Sequence, residues 1–202
     1  MSDETVELLR ELTEASGISG YEQEVREIIR KHLQKITVIE QDRLGSIVCR
    51  KKGETETPRI MIAGHMDEIG FIVKLITDEG FIRFSTLGGW WGHVMLAQRV
   101  VIKTRKGDVP GLIGSKPPHI LSDEERKKLL EPKDMYIDVG ATSQEEVKAL
   151  GIRPGDPIIP VFPFTLSGTG KTYLAKGLDD RVGCALVIDV IKNLVPEKHP
   201  NT

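Results

Sequence analysis

The chain of 202 residues has few cysteines, few aromatic residues and no excess of either charge. Its two cysteines, Cys49 and Cys184, each lie in an apolar run. This favours buried free thiols in a reducing compartment over a disulfide or a cysteine metal site. The 28 basic and 30 acidic residues nearly balance. Charge therefore gives no reason to expect a nucleic acid or a membrane as a partner.

Long hydrophobic runs are also missing from the sequence. No apolar run approaches the roughly 20 residues that a membrane-spanning helix needs. The chain starts with MSDETVELLREL, an acidic amphipathic segment that is unlike a signal peptide. We therefore expect a cytoplasmic protein.

The two ends of the chain predict an α/β domain. Apolar residues at helical spacing predict a helix over residues 4–15, and Ser19 with Glu22 predicts a capping box that begins a second helix. A further helix is predicted over residues 180–194, and Pro196 is predicted to end it. Strands are predicted at ITVIEQD, SIVCRKK and RIMIAGH. RIMIA is continuously apolar, as is typical of a strand that is covered on both faces.

The middle of the chain has a different pattern. Short apolar segments alternate there with Gly, Pro and Asp turns, which predicts a small β-barrel or sandwich-like domain. We therefore predict an α/β domain over residues 1–69 and 165–202, incomplete at its C-terminus, with a β-rich domain inserted over residues 70–164. The inserted strands are predicted at GFIVKLI, FIRFSTL, RVVIKTR, GLIGS, MYIDVGA and DPIIPV.

The segment SGTGKTYLAKGLDDRVG contains two candidate sites. Its first half approaches a phosphate-binding loop, but Thr165 stands where that motif needs its first glycine, and a hairpin turn explains it better. In the second half, Asp179 and Asp180 precede the predicted helix. They either cap its N-terminus or bind a cation that relieves the repulsion between the two carboxylates.

A second acidic site candidate is AGHMDEIG. The predicted RIMIA strand would end at His65, and open α/β sheets bind ligands at the carboxyl ends of their strands. Asp67 lies two residues further on the same face and could hold the second nitrogen of a metal-binding imidazole. The alternative is a hydrogen-bonded histidine at a strand end, followed by a solvated acidic turn.

AGHMDEIGFIV and AKGLDDRVGCA together resemble the glutamyl and related aminopeptidases of metallopeptidase family 42. The segments that share this resemblance occur in the family's order along nearly the whole chain: SGISGYE, LGG with LAQRV, GSKPPHI, MYIDVGA and LDDRVG. The resemblance implies a zinc-peptidase-like α/β domain with an inserted β domain. It also implies peptide substrates and assembly into homo-oligomers, from dimers up to tetrahedral dodecamers.

For the site, the resemblance implies two divalent metal ions, zinc or cobalt, in each complete subunit. His65 would bind one metal, Asp179 would bridge both, and Asp67 would be the catalytic residue that orients the metal site. The family's general base belongs to a Glu–Glu pair that lies beyond the last residues of this sequence, as do further ligands. We therefore expect a truncated portion, or one half of a split protein, which is inactive without a C-terminal half.

Two other functions remain open from the sequence. An endoglucanase-like carbohydrate hydrolase would need two carboxylates across a glycosidic bond and aromatic platforms, but only 5% of the residues are aromatic. A non-catalytic scaffold or oligomerisation fragment would need no metal at His65 and Asp179. Trp90 and Trp91 either pack in a core or line an oligomer contact. Lys171 and Lys176 are either ordinary surface lysines or attract acidic peptides.

Overall fold

The computed structural model describes residues 3–195. It has two compact units, one made of the residues up to 68 and from 163 onward, the other of residues 69–162. The residues from 196 to the C-terminus, where the sequence predicts that a proline ends the last helix, lie outside the described residues.

Three helices form the core of the first unit. Helix α1 covers Asp3–Glu14 and α2 covers Gln23–Leu33, and each buries the apolar stripe that its sequence predicts. The long helix, numbered α5 in chain order, covers Leu178–Asn193. The Nζ of Lys51 donates to the carbonyls of Ile191 and Leu194 at the end of α5. The buried core includes Leu8, Leu12, Val25, Ile29, Leu33, Phe164, Ala185 and Ile188.

The strands of the first unit form two separate hairpins. In the first hairpin, strand β1 (Val38–Gln41) pairs with β2 (Ile47–Arg50). Both hairpins are antiparallel. Near residue 170, a two-residue strand at Thr165–Leu166 pairs with one at Tyr173–Leu174. Gly170 lies in the turn between them with a φ of 67°, which is readily adopted by glycine. The predicted hairpin at SGTGK is therefore confirmed.

The predicted strand RIMIAGH is not a strand in the structure. Ile60, Met61 and Ile62 are 62%, 89% and 55% exposed, although the sequence predicts burial on both faces. A buried strand needs a neighbour for its backbone hydrogen bonds and layers over its side chains. Within residues 3–195, β1 and β2 pair only with each other, and no strand pairs with this segment.

The second unit is a closed antiparallel barrel of six strands. Their order around the barrel is β3-β4-β7-β6-β5-β8. Two short helices, α3 (Asp123–Arg126) and α4 (Gln144–Ala149), lie between strands. The six strands are β3 (Gly70–Ile76), β4 (Ile82–Leu87), β5 (Arg99–Thr104), β6 (Gly107–Ser115), β7 (Met135–Asp138) and β8 (Pro157–Pro160). The two short strands of the first unit, Thr165–Leu166 and Tyr173–Leu174, are therefore numbered β9 and β10.

The barrel has a continuous apolar core. Phe71, Ile102 and Ile137 are fully buried in it. Trp90 packs against Phe71 with ring centroids 4.5 Å apart, and its indole N–H donates to the carbonyl of Gly70. Trp91 is 64% exposed, so that the two tryptophans differ in role. The predicted fold class, α/β with an inserted small barrel, is confirmed.

No helix within residues 3–195 is long and apolar enough to cross a membrane.

Candidate functional site

His65 and Asp179, which are 114 residues apart in sequence, lie in hydrogen-bond contact. The Nε2 atom of the imidazole is 2.9 Å from Oδ1 of Asp179. The Asp179 side chain is 95% exposed and that of His65 is 56% exposed, so that the pair is open to solvent. The segment after Ala63 and the start of α5 thus bring an imidazole nitrogen and a carboxylate oxygen to one point.

Asp67 contacts the other nitrogen of the imidazole. Its Oδ1 lies 3.1 Å from Nδ1 of His65, and its Oδ2 accepts a hydrogen bond from the hydroxyl of Ser19. Ser19 therefore does not take part in the capping box that the sequence predicts for α2. Glu22 instead occupies the N-cap position of that helix, and its carboxylate accepts from the backbone N–H of Gly20.

The two carboxylates change the protonation of His65. Partial burial lowers the pKa of the imidazole, but the hydrogen bond to Asp179 and the charges of Asp67 and Asp179 outweigh it and raise the pKa above its ordinary value. Carboxylates only accept hydrogen bonds, so two carboxylates favour a ring with a proton on each nitrogen. A metal ion at Nε2 would replace one of these protons.

Asp180 has a different role from its neighbour. Asp179 and Asp180 have non-helical φ and ψ angles at the start of α5, and the peptide bond between them is cis. The Oδ1 atom of Asp180 accepts from the backbone N–H of Gly183 at 3.1 Å. Asp180 thus caps the regular part of the helix, as one of the two sequence-based interpretations predicts. Asp179 is left free to face His65.

Helix α5 packs tightly against the segment that carries His65. A Cβ added to Gly64 would lie 3.0 Å from a carboxylate oxygen of Asp180 and 3.3 Å from the backbone of Cys184. The thiol of Cys184 donates to the carbonyl of His65 at 3.3 Å. Burial, followed by the charge of Asp180, raises the pKa of Cys184 to about 11, so that this thiol stays protonated.

Three charged side chains lie buried beside the site. Glu68 accepts from Lys176 at 2.6 Å and from Arg181 at 3.3 Å, and the exposed fractions of the three side chains are 2%, 11% and 0%. Burial lowers the pKa of Lys176 and of Arg181, while the charge of Glu68 opposes this. The interpretation of Lys176 as a surface lysine is therefore wrong.

Sequence reasoning missed this buried charged cluster. Glu68 directly follows the predicted site residue Asp67, and Arg181 directly follows the aspartate pair, so that both lie within recognised motifs. No periodicity marks either of them as buried, because their partners come from distant parts of the chain. The functional interest of Arg181 and Glu68 emerges only from their contacts.

The donor set suits a zinc-type ion but is incomplete. Imidazole nitrogen and carboxylate oxygen are ordinary zinc ligands, and a carboxylate on the second nitrogen of a metal-binding histidine is a common support. A catalytic zinc site has three protein ligands and a water molecule. Among residues 3–195, no group of three His, Cys, Asp or Glu side chains is arranged to hold a metal ion.

A comparison with protein families identifies the group to which this chain is related. The profile of the M42 glutamyl aminopeptidases matches residues 45–202, and a second profile, AMPT, matches residues 3–29. The chain belongs to the M42 glutamyl aminopeptidase family. The resemblance seen in the sequence motifs is thereby confirmed, as is the classification of the chain among peptidases.

Members of the M42 family are similar to this chain in both sequence and structure. The glutamyl aminopeptidase of Lactococcus lactis subsp. cremoris (strain MG1363) is 34% identical over 203 residues, which cover 98% of this chain and 57% of the relative. The TET aminopeptidase of the marine sediment archaeon Thaumarchaeota archaeon SCGC AB-539-E09 is 47% identical, with a TM-score of 0.91 and coverage of 94% of this chain and 53% of that one.

A third M42 relative carries information on assembly. The TET1 peptidase of Pyrococcus horikoshii is 38% identical with a TM-score of 0.84, and the match covers 95% of this chain and 56% of that one. Its structure is described as able to assemble into a tetrahedron or a large octahedral shell. The chain spans about half the length of the relatives that it matches.

Proposed function

We propose that this chain forms part of a metal-dependent aminopeptidase that removes N-terminal residues from peptides. The observation that carries the proposal is the contact between His65 and Asp179, with Asp67 on the other nitrogen of the ring. The M42 family membership supports the reaction, and the donor chemistry supports a divalent metal such as zinc or cobalt.

Each of the three side chains has a distinct role in this proposal. His65 would hold a metal ion through Nε2, and Asp179 would be a ligand shared between two metal ions. Asp67 fixes the ring orientation of His65 by accepting from Nδ1, and Ser19 in turn holds Asp67. Metal ions bound here would polarise the scissile carbonyl and lower the pKa of a bound water molecule.

We further propose that a complete site needs a polypeptide corresponding to the remaining half of the M42 relatives. Two ligands are too few for a catalytic zinc site, and the general base implied by the family resemblance is not among the residues of this chain. The exposed apolar run at Ile60, Met61 and Ile62 supports such a partner, because an extended apolar segment without a neighbouring strand can accept one.

A homo-oligomer in the cytoplasm completes the proposal. The tetrahedral or octahedral assembly described for the Pyrococcus horikoshii relative supports a homo-oligomer. Both cysteines are free in the structure, as expected in a reducing compartment. Cys184 is buried as predicted, whereas Cys49 is only partly buried.

The first experiment measures cobalt and zinc binding by calorimetry and visible absorption. We expect weak binding by the 202-residue chain, and a loss of at least tenfold in affinity for His65→Ala and for Asp179→Ala. His93→Ala, which removes an imidazole from the barrel unit, is the matched control and should bind metal as the unchanged chain does. Equal binding by all four proteins would favour the scaffold interpretation.

The second experiment tests hydrolysis. The chain is mixed with a polypeptide equivalent to the remaining part of the Lactococcus lactis relative, and release of N-terminal residues from peptides is followed with and without a chelator. We expect release only from the mixture, and its loss on chelation. Cleavage of cellulose that survives the chelator would overturn the peptidase proposal in favour of a carbohydrate hydrolase.

A further inference from the structure

Arg181 is the largest side chain that is fully buried in the described part of the chain. Its Nε atom donates to the carbonyl of Met66 at 3.1 Å, and Nη1 donates to the carbonyls of Leu12 and Ala15 at 2.8 and 2.6 Å. Its Nη2 atom donates to the carbonyl of Gly17 at 3.2 Å and to Glu68 at 3.3 Å. The five N–H groups of the guanidinium therefore have five acceptors.

Such burial is costly unless every donor is satisfied. A buried charge is strongly destabilising when it is not paired and hydrogen-bonded, and breaking one partner leaves the remaining charge uncompensated. Lysine offers three donors around a point charge, whereas arginine offers five in a rigid fork. The arrangement around Arg181 thus requires the shape of a guanidinium as well as its charge.

The acceptors of Arg181 connect the two halves of the candidate site. The carbonyl of Met66 lies in the backbone between His65 and Asp67, and Arg181 itself follows Asp179 by two residues. One side chain therefore links the backbone that carries the imidazole to the backbone that carries the carboxylate. Its bonds to Leu12, Ala15 and Gly17 tie the same link to the end of α1.

We propose that Arg181 is a positioning residue that sets the distance between His65 and Asp179. The importance of that distance for metal binding rests on the proposed function. Arg181 itself touches neither a metal nor a substrate in that proposal. It acts through the Met66 carbonyl on one side and through the start of α5 on the other.

Lys176 provides a matched comparison within the same buried cluster. Its Nζ atom donates to the carbonyl of Ala15 at 2.8 Å and to Glu68 at 2.6 Å, so it shares two acceptors with Arg181. It makes no hydrogen bond to the Met66 carbonyl among those described. Lys176→Met therefore disturbs the buried charges without cutting the link between the two halves of the site.

The test compares Arg181→Lys with Lys176→Met in the 202-residue chain. In the metal-free protein, the ring signals of His65 are recorded by NMR, and unfolding is followed by urea titration. Cobalt affinity and the visible spectrum of bound cobalt are then measured. We expect Arg181→Lys to shift or split the His65 signals, to lower cobalt affinity by about ten- to a hundredfold and to change the cobalt spectrum.

The control should lose stability but keep the site. We expect Lys176→Met to unfold at lower urea concentration while its His65 signals, cobalt affinity and cobalt spectrum remain those of the unchanged chain. If Arg181→Lys leaves all these site signals unchanged, the positioning proposal is wrong. It is also wrong if the two variants alter the site equally.

A second variant covers the case in which Arg181→Lys does not fold. A Cβ at residue 17 would lie 2.7 Å from Nη2 of Arg181 and 2.8 Å from Cγ2 of Val25, so Gly17→Ala crowds the guanidinium from one side without removing its charge. It should reproduce the His65 shifts. If the unchanged chain binds no cobalt, the metal proposal fails, while the His65 signals of the metal-free variants still decide the role of Arg181.

Discussion

The barrel and the first unit treat their apolar strand-like segments in opposite ways. In the barrel, six strands close on one another, and side chains such as Phe71 and Ile137 are completely buried. In the first unit, the apolar run at residues 60–62 is exposed and unpaired within the described residues. The difference shows that composition alone does not make a strand, because a partner for the backbone must be present as well.

The largest expected difference between these regions is in amide hydrogen exchange. Exchange from the ladder between β5 and β6 needs extensive unfolding, whereas residues 60–63 need little or none. We expect the ladder amides to exchange on the order of 1,000-fold more slowly, measured by mass spectrometry. Similar protection of both regions would mean that the segment is paired in solution.

A second prediction breaks the barrel core. Phe71 packs against Phe84 and Trp90, with ring centroids 5.0 and 4.5 Å apart. We expect Phe71→Ala to lower the free energy of unfolding of the barrel by about 3–5 kcal/mol, because it leaves a cavity. Urea titration followed by tryptophan fluorescence reports on this unit, since both tryptophans lie in it.

The matched change in the first unit is Met61→Ala, at a residue that is 89% exposed. It should change the free energy of unfolding, followed by circular dichroism, by less than about 0.5 kcal/mol. A loss of stability comparable with that of Phe71→Ala would contradict the exposure of Met61 in the structure.

The third prediction concerns the start of α5 in the first unit. Because Asp180 caps the Gly183 N–H, Asp180→Ala should lower stability by about 1 kcal/mol in urea titration. Asp180→Asn keeps a capping side chain and should cost much less. An equal loss in both variants would show that the charge of Asp180, and not its cap, stabilises the helix.

A further small effect is expected from Glu11, which joins α1 to α2. Hydrogen bonds from Lys31 and then His32 lower the pKa of its carboxyl group below its ordinary value of 4.5. Because the pKa of Glu11 is lower in the folded protein, its hydrogen bonds with Lys31 and His32 stabilise the protein at pH values above the ordinary pKa. This contribution is lost as the pH falls through the folded-state pKa.

Since Glu11 is partly exposed, we expect its contacts with Lys31 and His32 to contribute less than about 1 kcal/mol to the free energy of unfolding. The measurement is the free energy of unfolding against pH for the unchanged chain and for Glu11→Gln, which should lack this part of the acid slope. Parallel curves for the two proteins would contradict the prediction.

Local patterns predict the fold better than they predict the surroundings of the site. The barrel, the helices and the hairpin at Gly170 follow from periodicity and turn residues, which are local. The motifs also select His65, Asp67 and Asp179, which the structure brings together, while their metal roles stay predictions. The predicted RIMIA strand is wrong, because an apolar sequence shows that a segment needs neighbours to bury it but does not show that those neighbours are present.

Contacts over long sequence separations explain the other misses. The sequence predicts that Ser19 caps a helix, but its hydroxyl donates to Asp67, 48 residues away. The burial of Arg181 depends on carbonyls more than 100 residues earlier, such as that of Leu12. Neither partner can be read from the residues that flank Ser19 or Arg181 in the sequence.

The acceptors around Arg181 also bear on how this sequence can drift in evolution. Four of them are main-chain carbonyls, which every amino acid supplies, so residues such as Leu12 and Met66 can be replaced without removing an acceptor. No other side chain can replace the guanidinium. Natural variation should therefore leave one arginine unchanged among neighbours that differ, and Glu68, which accepts through its side chain, and Gly17 should be restricted with it.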